Sequence, residues 1–265
     1  MARLEGRVAI VIGGGQFPGE DLGNGRAMSL LFAREGAVLV VADKNLGSAE
    51  QTCAMITEAG GQALAVEVDV SRESDCKAVI DRCVEAHGRV DVLVNNVGIT
   101  GPDGPVEALS EDAWDRIFEV NLKSVFFACK YAIPFMAENK RGSIINISSL
   151  AAIAPAAGAA SKVSKAGVNA LTQQMAMSVA AKGIRVNAIM PGRMRTARAI
   201  EGIKIVTGQE RDQIIADRAA KTPLAGGVGD ATDIANAALF LACDESRFVT
   251  AVMLPVDGGQ SALIG

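Results

Sequence analysis

The stretch RVAIVIGGGQFPGEDLGNGRAMSLLFAREGAVLVVAD, residues 7–43, decides the fold. An apolar run from Arg7 to Ile12 enters a glycine-rich turn. An amphipathic segment from Asn24 to Glu35 follows, and a second apolar run, Ala37 to Ala42, ends at Asp43. Two short runs that are apolar on both faces, joined by a helix, are the pattern of neighbouring parallel strands with both sheet faces covered.

The same alternation continues outward. Further strands are predicted over Ala63 to Val68, Val90 to Val94, Ser143 to Ser148, Ile184 to Ile189 and Val252 to Val256, making seven in all. Helical periodicity covers Gly47 to Ala59, Arg72 to Ala86, Glu111 to Glu138 with a break near Asn121, Ala160 to Lys182, Glu210 to Ala219 and Ala231 to Ala242. The expectation is one α/β domain over residues 1–265, a doubly wound parallel seven-stranded sheet of the Rossmann type. The segment 192–224 is the longest without a strand, and an excursion there, past a strand's carboxyl end, suits a substrate lid.

Composition narrows the function classes. No apolar stretch approaches the roughly 20 residues that cross a bilayer, and the opening MARLEGRVAIV lacks a signal peptide's apolar region, so a cytoplasmic protein without a membrane partner is expected. The net charge of −4 and the scattered basic residues argue against nucleic acid. The five cysteines, Cys53, Cys76, Cys83, Cys129 and Cys243, form no C-x-x-C pair, which suggests reduced thiols and no metal site. The single histidine, His87, precedes Gly88 at a helix end and reads as part of a carboxyl-terminal cap. A small-molecule substrate is the remaining partner.

The glycine turn gives the first candidate site. Gly13, Gly15, Gly23, Asn24 and Gly25 stand between the first strand and the helix. Glycines there let the backbone approach a pyrophosphate, and the helix amino terminus supplies free N–H groups and a positive dipole end. Asp43, at the end of the second strand, can accept both ribose hydroxyls of an adenosine and would repel a 2′-phosphate. This favours NAD over NADP, with the neighbouring Lys44 the opposing feature.

In order along the chain stand the glycine turn, Asp43, Asp69-Val70, Asn95-Asn96-Val97-Gly98, Asn121, Ser149, Lys165, Pro191-Gly192 and Asp257-Gly258-Gly259. This series resembles the motifs of short-chain dehydrogenases/reductases over nearly the whole chain. The resemblance implies that Asp69 and Val70 flank the adenine, that Asn95 and Gly98 line the cofactor's central part, and that Thr196 lies near the nicotinamide carboxamide. It also implies a homotetramer built through the two long helices. Three departures stand out: Ile12 and Val97 replace a threonine and an alanine, and the glycine turn is about six residues longer than usual. The added loop carries Glu20 and Asp21, which suit a pyrophosphate only if they point away.

The resemblance assigns catalysis to an asparagine, a serine, a tyrosine and a lysine, the last two on one helix face so that the ammonium lowers the phenol's pKa. Asn121, Ser149 and Lys165 fill three of these places; Ser161 stands in the tyrosine's. The only tyrosine, Tyr131, belongs to the long helix after Asn121 and faces the core or a subunit contact. A serine hydroxyl is a weaker acid than a phenol and stops short of the substrate, so ordinary proton transfer is lost or rerouted through a water beside Lys165. Past Pro191-Gly192, Arg193, Arg195 and Arg198 either converge on an anionic substrate group or remain solvated charges.

The function expected is an NAD(H)-dependent oxidoreductase interconverting a secondary alcohol and a ketone, with an atypical proton-transfer site. The alternatives are an inactive NAD-binding scaffold or sensor, and a non-redox lyase on the same frame.

Overall fold

The computed structural model describes residues 2–154 and 158–263. Seven strands form one parallel sheet: β1 (Val8–Ile12), β2 (Val38–Asp43), β3 (Gln62–Glu67), β4 (Val92–Asn95), β5 (Gly142–Ile147), β6 (Ile184–Pro191) and β7 (Met253–Val256), in the order β3-β2-β1-β4-β5-β6-β7. The order reverses at β1 and β4, where the chain turns from building one half of the sheet to building the other. In such sheets ligands bind outside the strands' carboxyl ends at this switch point.

Alternation along each strand feeds two cores. In β1, Ala9 and Val11 enter a cluster with Met28, Leu31 and Phe32 of α1 (Asn24–Arg34), Ile56 of α2 (Leu46–Glu58), and Ile234 and Leu239 of α9 (Ala231–Ala242). Val8, Ile10 and Ile12 enter the other, against Val79 and Ile80 of α3 (Glu73–His87), Ala128 and Met136 of α5 (Ser124–Glu138), and Val168 and Met175 of α6 (Ala159–Val179). Each large aliphatic side chain taken from water this way is worth about 1.5–3 kcal/mol, so a strand with both faces covered holds its register firmly.

The helix break at Asn121 is a π-turn, Glu119–Lys123, between α4 (Glu111–Phe118) and α5. Such wide turns recur at functional sites because they redirect one side chain inward. β4 begins at Val92 rather than Val90, because the buried Asp91 carboxylate takes the Val8 N–H at 2.9 Å and the Arg89 guanidinium at 2.6 and 2.8 Å. Gly88, in the left-handed conformation, ends α3 after His87. The segment 192–224 contains not one helix but two, α7 (Ala197–Thr207) and α8 (Arg211–Ala219). No helix among the described residues is long and apolar enough to cross a membrane. The five cysteines are free and buried.

Candidate functional site

A cleft of about 450 Å³ opens over the carboxyl ends of β1, β2 and β4. Gly13, Gly15, Gly23, Asn24 and Gly25 line its floor, Asp43, Asp69 and Val70 one end, and Gly98 and Thr196 the other. The floor depends on absent side chains. Gly13 has φ +81°, and a Cβ on Gly25 would lie 1.8 Å from the Gly13 carbonyl oxygen. Asn24 Oδ1, at the first turn of α1, is buried without a partner, an acceptor the protein itself leaves open.

At the far end of β2, Asp43 Oδ2 accepts the Gly15 N–H at 3.0 Å and Oδ1 accepts the Asn45 N–H at 3.0 Å. Lys44 Nζ is drawn aside to Asp69 at 2.8 Å. With Ser71 as a further donor, this pairing holds the Asp69 carboxyl well below the usual carboxylate range. These residues fit a dinucleotide: a side-chain-free turn at a helix amino terminus for phosphates, and a carboxylate one strand away.

One assignment needs correction. The Asn95 side chain does not line the cleft but donates to Asn146 Oδ1 at 2.8 Å inside the sheet. Adjacent strand residues point to opposite faces, and Asn96 takes the cleft position, donating to the Gly13 carbonyl at 2.8 Å. Pro191 ends β6, and Gly192 packs where a Cβ would lie 2.6 Å from Asp257 Cβ, so this pair steers the chain towards Thr196. Thr196 accepts the Ala199 N–H at 3.4 Å and caps α7.

Where the cleft reaches Gly98, two polar groups converge. A Cβ on Gly98 would lie 3.1 Å from Lys165 Nζ and 3.5 Å from Asn121 Oδ1. Asn121 is fully buried by the π-turn and fixed by the Ile99 N–H at 2.8 Å, the Ile99 carbonyl at 3.0 Å and the Ser164 hydroxyl at 3.1 Å. Lys165 Nζ donates to the Ile147 carbonyl at 2.8 Å, and burial pulls its ammonium down to about 8. Ser149 ends the strand-to-turn passage after β5, accepting the Ala151 N–H at 3.1 Å.

Ser161 lies on the first turn of α6, four residues before Lys165. It is 6% exposed, and its Oγ, which makes no well-aligned hydrogen bond among the described residues, lies close enough to the Asp103 carboxylate to help hold that carboxyl below its ordinary value. Its N–H goes to Asp103 Oδ2 at 2.8 Å, while Oδ1 accepts Ala160 and Gly104 N–H at 3.1 and 2.9 Å. Asp103 therefore caps α6, a role that the G-P-D-G stretch after β4 gave no sign of. Tyr131 is remote from this group: its hydroxyl donates to Glu73 at 2.8 Å on the flank of α3.

The three arginines after Pro191-Gly192 do not converge. Arg195 pairs with Asp21 at 3.3 Å and Asp230 at 3.6 Å. Arg193 faces a separate cavity with Gly258 and Gly259, and Arg198 lies over the Phe17 ring at 5.6 Å on the cleft rim. The carboxylates of the long turn recruit these cations: Asp21 also receives Arg211 at 2.8 Å, and Glu20 lies 3.4 Å from it.

Comparison with known proteins gives a consistent set. A family model described as enoyl-(acyl carrier protein) reductase matches residues 20–261. The chain is 38% identical over 260 residues to 2,5-dichloro-2,5-cyclohexadiene-1,4-diol dehydrogenase LinX of Sphingobium indicum, covering 98% of both. It is 37% identical to cis-4-hydroxycyclohexanecarboxylate dehydrogenase of Sinomonas cyclohexanicum, covering 97% of both. The crystal structure of levodione reductase superposes with a TM-score of 0.92 at 30% identity, over 99% of this chain and 100% of that one.

Proposed function

The chain belongs to the short-chain dehydrogenase/reductase family, and on that premise we propose an NAD(H)-dependent oxidoreductase that interconverts a secondary alcohol and a ketone through an altered proton path. One observation carries the reading. A single cleft has Asp43 at one end and, at the other, a glycine on which Lys165 and Asn121 converge. A nicotinamide dinucleotide held there supplies the hydride donor or acceptor.

The protein's own groups do the rest. Glycines 13, 15 and 25 and the α1 amino terminus receive the phosphates, Asp43 takes the adenosine ribose, and Thr196 anchors the opposite end. Ser149 orients the substrate oxygen. Ser161 stands where the family carries its tyrosine, and its hydroxyl is too short and too weak an acid to replace a phenol. Lys165, whose ammonium burial pulls down to about 8, would exchange its proton with the substrate oxygen through a bridging water. Residues 192–224 form the lid over the substrate side. With Arg195 engaged by Asp21 and Asp230, no two-arginine grip on an anion supports an anionic substrate. Two relatives are named for ring alcohols, which makes cyclic secondary alcohols the first class to try.

A second reading, an NAD-binding scaffold without catalysis, is favoured by the Ser161 hydroxyl, which is joined to neither Lys165 nor Asn121. A panel of cyclic and acyclic alcohols with NAD, and ketones with NADH, followed at the NADH absorbance, separates the two. Turnover on any member supports the enzyme; NADH binding with no turnover supports the scaffold. Exposed Phe126 on α5, and Val163 and Met177 on α6, suit a homotetramer joined through these helices.

A further inference from the structure

The lengthened glycine turn does more than bridge β1 and α1. Gln16 braces it, its side chain accepting the Gly23 N–H at 2.8 Å and donating to the Asp21 carbonyl at 2.7 Å. The loop packs directly on α7: a Cβ on Gly19 would lie 3.0 Å from Ala197 Cβ and 2.9 Å from Glu201 Cγ. Its charges are sorted. Asp21, with a side chain only 9% exposed, is held by Arg211 at 2.8 Å and by Arg195 at 3.3 Å, and Glu20 lies beside Arg211. Both acids are thereby drawn to the lid rather than to the phosphate floor.

Arg198 is a cation that neither acid of the turn engages. It makes no hydrogen bond or ion pair among the described residues, and its guanidinium lies 5.6 Å from the centroid of the Phe17 ring. Both side chains line the same cleft as Gly13, Gly15, Asn24 and Gly25, the residues that would receive phosphates. A guanidinium in cation–π contact with a ring keeps its N–H groups free for a second partner, and its planar fork matches phosphate oxygens.

Resting on the cofactor reading above, we propose that Arg198, presented by Phe17 of the lengthened turn, binds the cofactor's diphosphate from the lid side, opposite the glycines. The diphosphate then lies between the helix amino terminus below and a guanidinium above, and the lid is tied to cofactor occupancy through the two residues of this contact. The role replaces the substrate contact expected for Arg198.

The test is equilibrium titration of the full-length protein and of Arg198→Ala, Arg198→Lys and Phe17→Ala with NADH, ADP and adenosine, with circular dichroism to confirm folding. Arg198→Ala should weaken NADH and ADP about tenfold, the usual worth of a charge-assisted contact, and leave adenosine unchanged. Arg198→Lys should recover part of the loss, and Phe17→Ala should lose less than Arg198→Ala. A loosened lid would move adenosine and ADP alike, which overturns the proposal. Unchanged ADP and NADH affinity in Arg198→Ala, with tight binding to the unaltered protein, overturns it while the cofactor reading stands. Failure of the unaltered protein to bind NADH or ADP overturns both.

Discussion

Lys165 Nζ and the Ile147 carbonyl oxygen are 2.8 Å apart, a hydrogen bond that anchors a buried ammonium to the end of β5. Burial disfavours the charged form and brings this lysine down to about 8. Its proton is therefore exchanged at a lower pH than an ordinary lysine's. Alcohol oxidation requires the site to accept a proton, which the neutral amine does, so oxidative kcat/KM should rise as pH passes about 8. Ketone reduction requires a donor and should fall over the same range. Lys165→Arg, whose guanidinium stays charged, should abolish the inflection. A flat profile in the unaltered protein would exclude Lys165 as the proton carrier.

The same shift has a stability consequence of definite sign. Between about 8 and the ordinary lysine value of 10.5, the unfolded chain holds a proton that the folded one has released. Stability from this group should therefore rise with pH across that window and be reduced below it. Lys165→Met should flatten that part of the Tm against pH curve and raise Tm at pH 7.

Asp43 meets the Gly15 N–H, Lys44 is occupied by Asp69, and Arg26, close enough to feel the Asp43 charge, is turned to Thr52 and the Ser48 carbonyl, so these two cations are engaged within the protein rather than offered to a 2′-phosphate. NADH should bind about tenfold or more tightly than NADPH. Asp43→Ala should narrow the gap chiefly by weakening NADH. Fluorescence titration reads both constants, and equal affinities in the unaltered protein would remove Asp43 from the ribose site.

Gly25 must lack a side chain, since a Cβ there would lie 1.8 Å from the Gly13 carbonyl oxygen. Gly25→Ala forces α1 away from the turn, an overpacking that costs about 1–3 kcal/mol or more. Tm should drop and NADH affinity fall with it. An unchanged Tm would show that the turn is softer than this contact implies.

Much of this was legible along the chain because its determinants are local. Strand runs such as Val8–Ile12 carry their own periodicity, and the chain's apolar pattern broke at Asn121, where the π-turn sits. α7 was missed, although Thr196 as cap and Gly208 as left-handed terminus were both present. Its apolar residues do not gather on one buried face: only Ala197 and Ile200 are buried, while Ile205 and Val206 are exposed. The partners of Arg195 and Arg211 could not be read at all. Asp21 lies 190 residues from Arg211, and no spacing rule connects a turn to a helix that far along the chain. Asn95 and Asn96 were distinguishable only once the strand face was known.

The gap at Ser161 gives the sharpest test of function. Asn121 is fixed by three hydrogen bonds, Lys165 is buried beside Gly98, and Ser161, on the first turn of the same helix as Lys165, has a hydroxyl near Asp103 that bonds to neither Lys165 nor Asn121 among the described residues. If these are the surviving parts of a proton path, restoring a phenol should rebuild it, because a phenol reaches further and is the stronger acid. Ser161→Tyr should then raise NAD-linked turnover about 10²-fold or more on at least one alcohol or ketone, the usual worth of positioned proton transfer. The gain should vanish in the double variant with Lys165→Met. A folded Ser161→Tyr protein that binds NADH and gains nothing across a broad panel would leave the scaffold reading ahead. A fast unaltered protein that the tyrosine slows would instead make the water beside Lys165 its working acid and base.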